Sequence, residues 1–159
     1  MRYITSSVYR SGEFEDLVQM LGASEKKAGE GKLFKLLRDV LTFAAVLGYR
    51  EKQRRPFNPN YGRVDIQATV YQQSEATEII YAIALGDQKT TDVLKPENER
   101  ECIQIFEEYA NGGLNIINGW LDKYANIDPE DAIMRGLKSI GLTPEEKKDE
   151  NDAIIEPDF

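Results

Sequence analysis

Histidine is absent from all 159 residues, and that absence excludes more than any motif here adds. Without it there is no Ser-His-Asp or Cys-His nucleophile system and no His-bearing zinc site. An enzyme built on this chain would need carboxylates, Lys, Tyr or a carboxylate-bound metal. Cysteine occurs once, at Cys102, so no internal disulfide can form, which suits a reducing cytoplasm. No window approaches the ~18 consecutive apolar residues of a membrane span. The opening MRYITSSVYRSG lacks the apolar core of a signal peptide. A cytoplasmic protein without membrane contact is expected.

Positive charge is scarce in the second half. Residues 1–70 carry 12 Lys/Arg and 8 Asp/Glu, and residues 71–159 carry 8 and 20, which together give the net −8. Such a chain is a poor non-specific DNA binder overall, because phosphate contacts need local cations. A basic face on the first half remains open. At 41% hydrophobic and 30% charged residues, the composition is that of one globular domain, expected over residues 1–142.

The pattern along that domain is mostly helical. SGEFEDLVQMLG reads as a short helix with Ser11 as cap and Gly22 as stop. A polar, glycine-bearing connector, ASEKKAGEGK, follows. LFKLLRDVLTFAAVLGY is apolar around much of its circumference and should be a central buried helix ending near Gly48. VDIQATVY alternates as a short strand, and MRYITSSVY is the one clear candidate to pair with it. SEATEIIYAIALGD is a helix from Ser74 to a stop at Gly86, and NIDPEDAIMRGLKSIGL another, with Asp128 as cap and Gly141 as stop. Between them, Ile103, Phe106, Ala110, Gly113, Ile117, Trp120 and Tyr124 recur in steps of three and four, a stripe on one long helix. The expectation is a compact mostly α domain of about five helices with a small two-stranded β element. Residues 143–159 hold seven acids and two lysines and should be a mobile acidic tail.

Gly112 and Gly113 fall inside the long helix, where each costs roughly 1 kcal/mol relative to alanine. Close approach of another helix, a ring or a functional kink would offset that. Gly112, Gly113 and Trp120 are therefore candidates for helix packing or for an interface, including one between two copies of the chain.

The strongest binding candidate is the loop bearing Arg50, Lys52, Arg54, Arg55 and Arg63, interleaved with Tyr49, Phe57 and Tyr61. Guanidinium groups fork onto phosphates and rings stack on bases. The bland alternative is a solvated loop whose arginines pair with the chain's own acids. Lys26, Lys27, Lys32 and Lys35 would extend the patch if the segments meet. If the loop is the binding surface, changing Arg54 and Arg55 together to Glu should abolish binding.

Other motifs fail on their own chemistry. AGEGKLF has Lys26 five residues before Gly31 and Leu33 where a phosphate loop needs Ser/Thr. Asp16 with Glu30 and Lys32, and Asp131 with Glu145 and Lys147, mimic the order of a metal nuclease, yet fall on helix ends, a glycine loop or the tail. No catalytic residue, cofactor or metal site is assigned.

Three stretches carry a resemblance: FKLLRDVLTFAAVLGYREKQRRPF, EIIYAIALGDQKTTDVL and IFEEYANGGLNIINGWL, from about Phe34 to Leu121. In this order they resemble the DNA phosphorothioation-associated protein 4 family, also called Dnd system-associated protein 4. The resemblance implies an accessory protein beside gene clusters that place sulfur in the DNA backbone and restrict unmodified, often phage, DNA. It supplies no catalytic residue set. The chain is therefore expected to act by binding DNA or a protein of such a system. The alternative is a homodimeric adaptor with no nucleic-acid contact, with a metal-dependent nuclease a distant third.

Overall fold

The computed structural model describes residues 3–22, 32–72 and 74–142. The elements are β1 (Val8–Ser11), α1 (Glu15–Leu21), α2 (Leu37–Arg50), β2 (Arg63–Ile66), α3 (Ala68–Gln72), α4 (Ala76–Gln88), α5 (Glu99–Lys123) and α6 (Pro129–Ser139), joined in part by 3-10 turns. The protein is mostly α, with one two-stranded antiparallel ribbon in which Val8 faces Ile66 and Ser11 faces Arg63. The expected pairing of the two strand-like segments is therefore present. The second strand is shorter than its alternation suggests, because residues 68–72 coil into α3. That turn of helix delivers Tyr71 to the core, edge-on to Phe106 with ring centroids 6.1 Å apart. The acidic tail, residues 143–159, lies outside the described residues.

Helix α5 is the axis of the molecule. It runs 25 residues through both glycines, so the pair does not interrupt the helix. The stripe positions Ile103, Phe106, Ala110, Gly113, Ile117 and Trp120 are all buried. Cys102, Ile105, Tyr109 and Leu114 are buried as well, so over this stretch α5 is covered on more than one side.

Its main partner is α2, and the two backbones touch through small residues. A Cβ on Gly113 would lie 1.8 Å from the Ala44 carbonyl oxygen, and one on Gly48 would lie 2.1 Å from the Tyr109 oxygen. Gly48 is thus not the terminator its position suggests. Helix α2 continues to Arg50 and closes with the Gln53 N–H donating to the Gly48 carbonyl (2.8 Å) and the Lys52 N–H to that of Tyr49 (3.2 Å). These two bonds form a Schellman closure, with Lys52 in the left-handed position at φ 57°. Gly86 likewise sits inside α4, where a Cβ would meet the Tyr49 hydroxyl at 2.1 Å. In both cases glycine answers a packing demand rather than a helix-ending one.

At the far end of α5, the Trp120 ring covers Gly136 of α6, where a Cβ would fall 2.0 Å from the indole. Gly136→Ala should therefore destabilise by about 1–3 kcal/mol despite alanine's better helix propensity. Urea unfolding followed by Trp fluorescence reads this directly, since Trp120 is the only tryptophan.

Candidate binding surface

The structure separates the basic residues that the sequence groups together. Arg54 lies between two carboxylates, 2.9 Å from Asp87 and 2.9 Å from Glu108. Arg55 forks onto Glu13 at 2.7 and 3.0 Å, and its guanidinium lies over the Phe14 ring. The hydrogen bond from Arg55 holds the Glu13 carboxyl below its ordinary range. Arg50 bonds Glu51 (2.8 Å) and the Ile140 carbonyl (3.0 Å), tying the end of α2 to the end of α6. Lys52 is exposed and closes α2 with its backbone. Of the five, Arg63 alone faces a ring rather than a carboxylate or a cap, with its guanidinium 4.6 Å from the centre of Tyr9.

The 53–56 segment is laced to α5. The Arg55 N–H donates to the Glu108 carbonyl (3.0 Å), and the Asn111 side chain donates to the Arg55 carbonyl (3.0 Å). Gly112 permits this, because a Cβ there would lie 1.7 Å from the Gln53 oxygen. Asp87 joins the same network. Burial pushes its carboxyl up, but hydrogen bonds from Tyr109 and Gln88, with the Arg54 charge, bring it below its usual value. Burial and the neighbouring Asp87 raise the Tyr109 hydroxyl to about 12, so it stays a donor at any physiological pH. Arg54, Arg55 and their acids thus fasten loop, α4 and α5 together.

A cleft of about 560 Å³ opens where this loop turns away from α5. Phe57 and Pro59 form its apolar wall, and Arg63, Arg100, Gln104 and Glu107 supply its polar groups. Arg100 is a residue that reading along the sequence missed. It reaches across from α5 to the Ser7 carbonyl (3.0 Å), pairs with Glu107 and lies 5.3 Å from the Tyr9 ring centre on which Arg63 also packs. Glu107 is buried and also accepts the Tyr9 N–H (2.6 Å). Burial pushes its carboxyl up against the opposing pull of Arg100 and that N–H. The only advance signal for Arg100 was its charge at the start of an acidic helix.

The lysine extension of the patch does not form at Lys32. That residue donates to the Gln19 carbonyl (3.0 Å) and lines a second depression with Met20, Asp128 and Glu130, while Lys26 and Lys27 lie outside the described residues. Glu30, Glu145 and Lys147, which completed the nuclease-like patterns, also lie outside them. Among the described residues no three His, Cys, Asp or Glu side chains gather as a metal site would need. Among those residues, too, no helix is long and apolar enough to cross a membrane. Cys102 is buried and its thiol donates to the Val93 carbonyl (3.0 Å). Gly112, Gly113 and Trp120 face loop 53–56, α2 and α6 of the same chain.

Comparison with curated proteins and with solved structures gives no match. A family model described as DNA sulphur modification system-associated protein 4 matches residues 7–154, a span that takes in β1, α6 and the cleft as well as the three resembling stretches. With nearly its whole length matched, the chain belongs to the DNA sulphur modification system-associated protein 4 family.

Proposed function

We propose that this protein is a non-catalytic accessory factor of a bacterial DNA phosphorothioate modification and phage-defence system, and that it acts by docking a protein partner in the Phe57–Arg63–Arg100–Gln104 cleft. The observation that carries the reading is the fate of the basic loop: Arg54 and Arg55 are held by Asp87, Glu108 and Glu13. DNA would then meet Lys52, Arg63 and Arg100, with Glu107 and Glu108 lining the same cleft. Three cations neutralise at most about three phosphates, a salt slope below about 3, which is weak non-specific binding for a chain of net charge −8. A cleft with an aromatic wall and a few fixed polar groups suits a peptide segment better, since both apolar burial and orientation are available there.

Gln104→Trp tests this, because Gln104 is exposed on α5 and the larger ring would fill the cleft without entering the core. Co-purification with each protein of the host's modification system should survive nuclease treatment. The variant should lose at least about tenfold in affinity, roughly 1.4 kcal/mol, with an unchanged melting temperature. Recovery that vanishes with nuclease would assign the surface to DNA instead.

A further inference from the structure

The two edges of the β ribbon are treated differently, and the difference points to a second copy of the chain. The register pairs Tyr9 with Asp65 and Arg10 with Val64, and the Gly12 N–H continues it by donating to the Gly62 carbonyl (3.0 Å). In an antiparallel ladder, hydrogen-bonded and non-hydrogen-bonded pairs alternate. The even-numbered residues of both strands therefore point their backbone groups inward. The odd-numbered ones point theirs outward.

On β1 and the residues leading into it, α5 takes three of the outward groups. The Thr5 N–H donates to Glu99 (2.7 Å), the Ser7 carbonyl accepts from Arg100 (3.0 Å) and the Tyr9 N–H donates to Glu107 (2.6 Å). Three side chains thus cover part of that edge. On β2 the outward groups belong to Arg63 and Asp65, and among the described residues nothing bonds them. Both side chains are exposed and, being two residues apart, lie on one face. An uncovered edge of this kind is a template for pairing.

We infer that β2 pairs antiparallel with β2 of a second copy about a two-fold axis through Val64. That register sets Arg63 opposite Asp65 of the second copy and Asp65 opposite its Arg63. Both are outward-pointing positions, so each facing pair exchanges two backbone hydrogen bonds. The two opposite-charge cross-strand contacts favour this register, whereas a one-residue slip would lose the backbone match. The occupant is a second copy rather than an arbitrary strand because the edge's charges, +1 then −1 across the axis, complement themselves. An isologous contact of this type closes on itself. The result is a continuous four-stranded sheet with α5 of each copy guarding its outer rim. Arg63 also lines the cleft but Asp65 does not, so Asp65→Pro tests the pairing apart from the cleft's occupant.

Sedimentation equilibrium of the purified chain tests it. With only two residues per strand engaged, the interface is small, and the average mass should rise between about 10 µM and about 1 mM. Asp65→Pro should hold the protein monomeric throughout while leaving its circular dichroism and melting temperature unchanged, because the lost N–H is the outward one. Arg63→Asp alone should also give a monomer, by setting like charges opposite each other. The exchange R63D/D65R, which restores opposite charges, should recover at least part of the association. A single monomer mass at 1 mM, or association that Asp65→Pro leaves intact, would overturn the inference.

Discussion

Gly113→Ala should destabilise the protein by about 4 kcal/mol or more, and Gly113→Leu should leave no cooperatively folded species. The reason is that a Cβ there meets backbone rather than a side chain that can rotate away: the oxygen, carbon and Cα of Ala44 at 1.8, 2.5 and 2.9 Å. Relief requires α2 and α5 to part along their shared length, since close-packed interiors transmit such strain instead of absorbing it. Overpacking of a core usually costs about 1–3 kcal/mol, and contacts with fixed backbone fall at or beyond the top of that range. Against a total stability of about 5–15 kcal/mol, alanine leaves a marginal protein and leucine none. The control lies in the same helix. Gly119 has nothing within 4 Å of its Cβ position, so Gly119→Ala should stabilise by up to about 1 kcal/mol through helix propensity alone. Urea unfolding of the two alanine variants is therefore a signed comparison. If Gly113→Ala raised the midpoint as Gly119→Ala does, the intimate α2–α5 contact would not exist.

This contact explains which parts of the protein could be read from its sequence. The stripe from Ile103 to Trp120 was legible because helical periodicity records burial, and Gly113 fell on it. What the period could not say was who covers it. A homodimer through Gly113 and an internal helix write the same pattern, and the structure places Ala44 of the same chain there. Gly48 and Gly86 were misread as helix terminators for a related reason: glycine at a helix end and glycine at a close approach are the same letter. The ribbon was visible because residues 63–70 alternate and one segment was at hand to pair with them, but Ala68 and Val70 fit a turn of helix as well as a strand, so α3 was hidden. The basic loop was the least legible feature. Arg54 and Arg55 owe their neutralisation to Glu13, Asp87 and Glu108, up to 54 positions away, and no local pattern encodes such pairs. Arg100 was hidden by the same distance, since its value to the cleft comes from Ser7 and Tyr9, near the start of the chain, and from Arg63 packed on the same ring.

Reversing Arg54 and Arg55 together to Glu should unfold much of the protein's margin rather than report on binding. The change would put two new carboxylates among Glu13, Asp87 and Glu108, exchanging three attractive contacts for repulsive ones. Each pair is partly exposed, so screening limits its attraction to under about 1 kcal/mol, and the reversal adds repulsion of similar size, about 3–5 kcal/mol in all. Loss of partner capture by that variant would therefore say little about the loop as a binding surface. The neutral exchange of both arginines to Gln separates the two effects. It should cost about 1–3 kcal/mol, remain folded and still bind whatever the cleft binds. The single variant Arg55→Gln carries a pH signature of the same pairing. Arg55 holds the Glu13 carboxyl below its ordinary 4.5, so the pair's stabilisation is fully present above that value and is lost as pH falls through the lower folded value. The urea midpoint of the parent should therefore exceed that of Arg55→Gln at neutral pH, and the gap should close on acidification. Glu107 shifts the opposite way, with stability favoured as pH falls, but it is common to both proteins and drops out of the difference. A gap that stays constant from pH 7 down to about 3 would mean that Glu13 is not the group Arg55 serves.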